Sequence, residues 1–368
     1  MDANNKIGKI EAIALIVIIM ISQIILDLPN TILKSSGNGI LLNTIYISII
    51  AVLFCLLICK LYIPFQGKDI LEVSEYLGGK FLKNFIGLLY MVFFLIVMSF
   101  LLRYFANALK LIYFENISII FIILFFIVPA AIISQMGLQS ISRTNLILIF
   151  GILISILVLI CSLSKNFSID NLFPILGYGI KETFIYGSVN ICIFSSIGYL
   201  YFLPPHLKNL SDFKKISIAS TVISAIFLIL SSVSLLLLFP FLTQSSETLS
   251  LYFSSRLIKY GNFLQRVDAI FIFIWILGIL SYLSITFFYI LNIFKKLTKV
   301  KREQEVSFSL LAIIFAISLI PRNISDIEFI EKYIYKYFAL ILIFVCSALI
   351  LLLSYSKSKK EKKEDNKI

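Results

Sequence analysis

Ionisable side chains inside long apolar runs are the residues whose chemistry demands an explanation, because a charge at membrane depth costs at least about 2.5 kcal/mol on insertion scales. Asp27 stands in the first such run and is followed by Leu28 and Pro29. Proline lacks an N–H and its ring crowds the preceding turn, so carbonyls nearby are freed. A carboxylate beside freed carbonyls binds a proton, a cation or an ammonium group, or else caps the helical segment that follows it. Arg103 is in line with Ser99 and Asn107, four residues to either side. Its guanidinium either snorkels to the membrane interface or turns inward to a carboxylate. Asp268 begins a row with Trp275, Tyr282 and Tyr289, seven residues apart and therefore on one helix face, with Ser281 and Ser284 beside it. Such a stripe serves as packing or as a binding wall, and its hydroxyls suit a bound cation.

Catalytic constellations are missing from the sequence. The single histidine, His206, opens the basic stretch HLKNLSDFKK after Pro204-Pro205 and reads as a solvated loop residue. Nothing pairs a histidine or a metal-type cluster with a serine or carboxylate partner, as membrane hydrolases and metalloenzymes require, and no P-loop pattern is present. Cys55, Cys59, Cys161, Cys192 and Cys346 all fall in apolar segments without zinc spacing and read as small buried hydrophobes. The chain reads as non-enzymatic, with no metal and no cofactor.

The elements that must position these residues are membrane helices. Charged residues make up 14% of the chain and hydrophobic ones 60%, with mean hydropathy +1.01, against roughly 25% charged for a soluble domain. A water-soluble fold is excluded. Apolar windows of spanning length recur at about 10–33, 43–63, 85–106, 116–136, 145–163, 184–204, 216–241, 267–293, 307–320 and 334–354, the ninth being the shortest. The N-terminus carries no small-residue cleavage site and reads as a retained first helix. With that terminus cytoplasmic, 21 of the 32 Lys and Arg fall on the cytoplasmic side and 10 on the other, leaving Arg103 within a span. The bias places both termini in the cytoplasm and accounts for the net charge of +12 without nucleic acid. Residues 1–355 form one transmembrane domain, and 356–368 a basic, disordered tail suited to anionic lipid.

An all-α polytopic fold of ten spans divides into five and five, and an odd number per half inserts the second half upside down. The halves are about 10–163 and 184–354. In inverted repeats the binding site is marked by interrupted helices at matching positions. Spans 1 and 6 fit: the first holds Gln23 and Asp27-Leu28-Pro29, the sixth Asn190, Ser195-Ser196, Gly198 and the closing Pro204-Pro205.

Four further segments carry a resemblance. They are SSRLIKYGNFLQRVDAIFIFIWILG (254–278), PFQGKDILEVSEYLGGKFLKNFIGLLY (64–90), MGLQSISRTN (136–145) and NLFPILGYGIKE (171–182). Taken in order along the chain, they resemble the B-subunit family of spore germination receptors, a branch of the amino acid–polyamine–organocation transporter superfamily. The resemblance implies a LeuT-like fold with broken helices 1 and 6 in the spore inner membrane. It also implies a larger membrane A subunit and a lipoprotein C subunit as partners, and a small nutrient germinant, typically an amino acid, as ligand. Where the superfamily often has Gly-x-Gly in span 1, this chain has Ser22-Gln23-Ile24. The expected ligand contacts are Ser22, Gln23, Ile24 and Asp27 of span 1 with Ser99 and Arg103 of span 3. Asn190, Phe194, Ser195, Ser196, Gly198 and Tyr199 of span 6 and Trp275 and Tyr282 of span 8 complete the set. Asp27, Ser281 and Ser284 are the candidates for ion coupling in the alternative reading, an ion-coupled amino-acid permease.

Overall fold

In hydrocarbon every backbone N–H and C=O must be satisfied within its own segment, so apolar runs of this length become helices. The computed structural model of the chain describes residues 6–26, 28–238, 254–256, 267–300 and 303–365. Its helices are α1 (Lys9–Leu26), α2 (Leu28–Ser36), α3 (Ile40–Leu61), α4 (Ile70–Ile112), α5 (Ile119–Gln135), α6 (Leu138–Leu163), α7 (Ile197–Leu200), α8 (Phe213–Leu238), α9 (Val267–Thr298), α10 (Glu303–Ser318), α11 (Ile324–Ile330), α12 (Lys336–Ala339) and α13 (Ser347–Asp365). Among the described residues, six helical stretches are long and apolar enough to cross a membrane, and α5 and the expected ninth span are shorter apolar helices. The same residues contain no strand, only one parallel bridge between Ile7 and Leu207.

The expected interruption of span 6 coincides with a break in regular helix, whereas Asp27, where that of span 1 is expected, lies outside the described residues. Span 1 is helical on either side of Asp27, as α1 and α2. Span 6 is irregular. A π-turn over Lys181–Ile185 leads into a 3₁₀ helix of 9 residues, Tyr186–Phe194, before the single α-turn of α7. Runs of 3₁₀ beyond three or four residues are uncommon, so this segment needs outside support. Helix α1 packs on α6, α8 and α9, while α9 also meets α4 and α5. Aromatic side chains fill the centre: Phe94 lies 4.7 Å from Tyr199 and Tyr90 4.9 Å from Phe202, centroid to centroid.

Helix α4 carries a surface arm before its membrane part. Asp69 and Glu72 close a capping box at its start, which satisfies two orphan donors reciprocally. Lys296, at the end of α9, reaches both carboxylates, at 2.6 Å from Asp69 and 2.8 Å from Glu72. Burial pushes the Asp69 carboxyl up from its ordinary value, and the Lys296 charge opposes that shift. The arm turns into the bundle at Gly78-Gly79, where Gly79 has φ +68° and ψ −164°, a conformation nearly restricted to glycine.

Two expectations are corrected. His206 is buried, its ring 5.6 Å from that of Phe288, because its backbone N–H and C=O are engaged with Leu203 and Ile7 and draw the loop into the bundle end. The basic tail is helical as far as Asp365, and Lys357 fastens it to the α4 arm by donating to the Tyr76 carbonyl at 2.9 Å.

The segment 171–182 docks against the turn between α2 and α3. Asn38 donates its amide to the Phe173 carbonyl at 2.7 Å, and Gly177, at φ +55°, lies so close that an added Cβ would overlap Ser36 O and Gly39 N. Gly177→Ala should therefore destabilise the protein by more than the roughly 1–2 kcal/mol of left-handed backbone strain alone. Thermal denaturation in detergent should show a lower Tm than for the exposed control Gly151→Ala, whose Cβ would meet open space.

Candidate functional site

In the π and 3₁₀ part of span 6, two backbone carbonyls are held by one side chain. Asn43 of α3 donates its amide to the carbonyls of Thr183 at 2.6 Å and Gly187 at 3.0 Å. Its carbonyl oxygen accepts from the amide of Asn190 at 2.9 Å. Gly187 has no Cβ, and one added there would overlap the Asn43 amide. Asn190 in turn donates to Ser35 Oγ at 3.0 Å and accepts from Lys336 Nζ at 2.6 Å. Each polar atom of Asn190 is thereby engaged, and its orientation is fixed.

On the other side of Asn190 lies a cavity of about 380 Å³, within the usual size range for small-molecule sites. Span 1 contributes Gln23, Thr31, Lys34 and Ser35, and α4 contributes Val97, Phe100, Leu101 and Tyr104. Span 6 adds Asn190, Cys192, Ile193 and Ser195, α9 adds Tyr282, and the start of span 10 supplies Ile327, Glu328, Glu331, Lys332, Tyr335 and Lys336. Three lysines thus face two glutamates across a largely apolar wall. Lys34 pairs with Glu328 at 3.1 Å; both are more than a third exposed, so this pair is screened and contributes little stability. Glu331 is half-buried and within electrostatic reach of Lys336 and Lys34. Deeper in, Gln23 donates to the Tyr282 hydroxyl, and the Ser195 and Tyr335 hydroxyls share a hydrogen bond at 2.7 Å. Tyr335 stacks on Phe93 with centroids 5.8 Å apart.

Of the residues expected from sequence, Gln23, Asn190, Ser195 and Tyr282 line this cavity. The others have different surroundings. Ser22, Ile24, Phe194, Ser196 and Ser99 are buried in the bundle, and a Cβ on Gly198 would meet Ile343. The Tyr199 hydroxyl bonds Thr286 at 2.8 Å, and Trp275 sits edge-on to Phe105 with centroids 4.9 Å apart. Arg103 turns inward and donates to the Arg322 carbonyl at 3.1 Å, close to Asp326. Ser281 donates to Asn145, while Ser284 returns to the Leu280 carbonyl of its own helix at 2.7 Å. Asp27 lies outside the described residues, as does the side chain of Asp268.

The charged residues of span 10 are absent from the sequence expectation. Two rows four apart, Ile327, Glu331, Tyr335 and Glu328, Lys332, Lys336, were the available signal, since residues so spaced share a helix face. Charges that precede an apolar run read as loop residues, which conceals the pattern. No group of three potential metal ligands occurs among the described residues.

Comparison with known proteins agrees with this architecture. Residues 6–327 match the family model described as "Spore germination protein". Spore germination protein YndE of Bacillus subtilis (strain 168) is 24% identical over 97% of this chain and 99% of its own length. Spore germination protein A2 of the same organism is 26% identical over 89% of this chain and 90% of its own. A Na+-coupled sialic acid symporter, solved in a substrate-bound outward-open state, superposes with a TM-score of 0.63 at 12% identity, over 95% of this chain and 78% of the symporter. Mhp1, a nucleobase-cation-symport-1 family transporter in a closed conformation, gives 0.62 at 11% identity over 93% and 78%. These likenesses establish a LeuT-like transporter fold.

Asn43→Leu removes the donors to two span 6 carbonyls and the acceptor for Asn190, and each buried orphan costs about 1–3 kcal/mol. The apparent Tm in detergent should fall by several degrees, and an unchanged Tm would contradict this role.

Proposed function

The chain belongs to the spore germination protein family, and on that premise we propose that it is the ligand-binding, transporter-like B subunit of a germinant receptor. The family and the fold are those of a transporter-like integral membrane protein. The ligand proposed is a small nutrient, an α-amino acid, whose occupancy of the cavity triggers germination by shifting a two-state equilibrium. One observation carries the reading: one cavity, lined by residues of spans 1 and 6, presents Lys336 and Glu331 together beside Val97, Phe100, Leu101 and Ile193. An amino acid has a carboxylate for the lysine, an ammonium group for the glutamate and a side chain for the apolar wall.

In this reading Lys336 receives the carboxylate while Asn190 holds the lysine in place. Glu331 receives the ammonium group, and Ser195 with Tyr335 offers neutral hydrogen bonds between them. We assign Asp27 of span 1 to the same site. The proposed setting is the spore inner membrane, both termini cytoplasmic, with a membrane A subunit and a lipoprotein C subunit as partners. No step of the proposed mechanism makes or breaks a covalent bond.

The runner-up is an ion-coupled permease. The symporters that share the fold are its support, together with Ser281 and Ser284 on α9. Accumulation of a labelled amino acid in proteoliposomes only when a proton or sodium gradient is applied would favour it.

Binding of the twenty proteinogenic L-amino acids to the purified chain, read as thermal stabilisation, should identify at least one ligand. Losing a charge-assisted hydrogen bond through Lys336→Gln or Glu331→Gln should weaken that ligand about tenfold or more. In spores carrying either variant at normal protein level, the half-maximal concentration of the germinant should rise by a similar factor. An unchanged dose response would contradict the proposal.

A further inference from the structure

A second cavity, of about 360 Å³, opens at the lysine-rich end of the bundle, between the end of α3, the turn after it, the loop 204–211 and the first turn of α8. Its floor is Tyr62, Leu207 and Phe213, all buried. Its rim is polar: Lys60 and Lys214 stand with the exposed Gln66 and Ser211. Among the described residues no carboxylate lines it, and neither lysine is in an ion pair. Asp212, though adjacent in sequence, is not part of the lining.

The cavity is open sideways as well. Leu56 and Ile63 on its flank are exposed, and Leu56 continues an exposed apolar row on α3 through Leu53 and Ile49. Those residues recur at helical spacing, so they form one stripe ending at Lys60. Two unpaired cations at the end of an outward apolar stripe match a molecule with an anionic head and a hydrocarbon tail. A choline head group would bring a cation to the lysines, and a free phosphate ion would leave the stripe unused. Basic pockets between spanning helices are suited to anionic head groups.

We propose that this cavity binds the head group of an anionic phospholipid, with its phosphate between Lys60 and Lys214 and an acyl chain along Ile49, Leu53 and Leu56. The lysines attract the phosphate, Ser211 and Gln66 supply neutral hydrogen bonds, and the bound lipid clamps the end of α3 to the start of α8.

The test is native mass spectrometry of the purified full chain with phosphatidylglycerol or phosphatidylcholine added. Phosphatidylglycerol should be retained about tenfold better or more. The doubly substituted chain Lys60→Gln, Lys214→Gln should lose about thirtyfold of that retention, given the expected contribution of each lysine near a membrane surface. Ser211→Glu, which places a negative charge at the rim, should lower retention likewise and guards against misfolding of the double variant. Lys215→Gln, an exposed lysine outside the cavity, should leave retention unchanged. Equal retention of both lipids, full retention by the double variant and by Ser211→Glu, or an equal loss with Lys215→Gln would overturn the proposal. Complete displacement of the lipid by millimolar inorganic phosphate would overturn it too, by showing a simple phosphate site.

Discussion

Backbone that is not α-helical survives at membrane depth only if its carbonyls and amides find partners, and in this protein the Asn43 side chain engages two of those carbonyls. Its amide holds the Thr183 and Gly187 carbonyls, and its oxygen holds Asn190. The rest of the site depends on that anchor. Gly187 is required because a side chain there would collide with Asn43. Asn43 on α3 adds a second partner to carbonyls in both the π-turn and the 3₁₀ run of span 6, and Asn190 of that run faces the cavity and Lys336. Burial of unpaired amides is costly, so the polar chain from Asn43 through Asn190 to Lys336 holds together as a unit.

The cavity combines this rigid wall with a softer one. On the span 6 side, hydrogen bonds and the stacking of Tyr335 on Phe93 fix the side chains. On the side of α2 and α11, the Lys34 to Glu328 pair is exposed and screened. A ligand can exchange for such weak contacts at little cost, which suits a mouth more than a floor. Helix α9 serves chiefly as the central post: Trp275, Tyr282 and Tyr289 are all buried, but only Tyr282 reaches the cavity.

Much of this was legible in the sequence for physical reasons. Apolar runs become helices in a membrane, so the overall architecture follows from hydropathy, and the Asn190 to Pro205 stretch marks the interruption of span 6. Gln23, Asn190, Ser195 and Tyr282 were identifiable as polar groups in apolar spans. The charged half of the site was not. Glu328, Glu331, Lys332 and Lys336 precede the apolar part of span 10, where charge alone reads as loop, and only the tertiary fold brings them opposite Asn190. His206 misleads for the converse reason: a histidine among lysines looks solvated, yet backbone pairing with Ile7 carries it into the bundle.

The most direct test of a charged amino-acid site between spans 1, 3, 6, 8 and 10 is an experimental structure of the chain with the L-amino acid that stabilises it most. Ligand density is expected in this cavity, with the carboxylate on Lys336 and the ammonium group on Glu331. Density elsewhere in the bundle, or the same amino acid in this cavity with neither charged contact, would contradict that site.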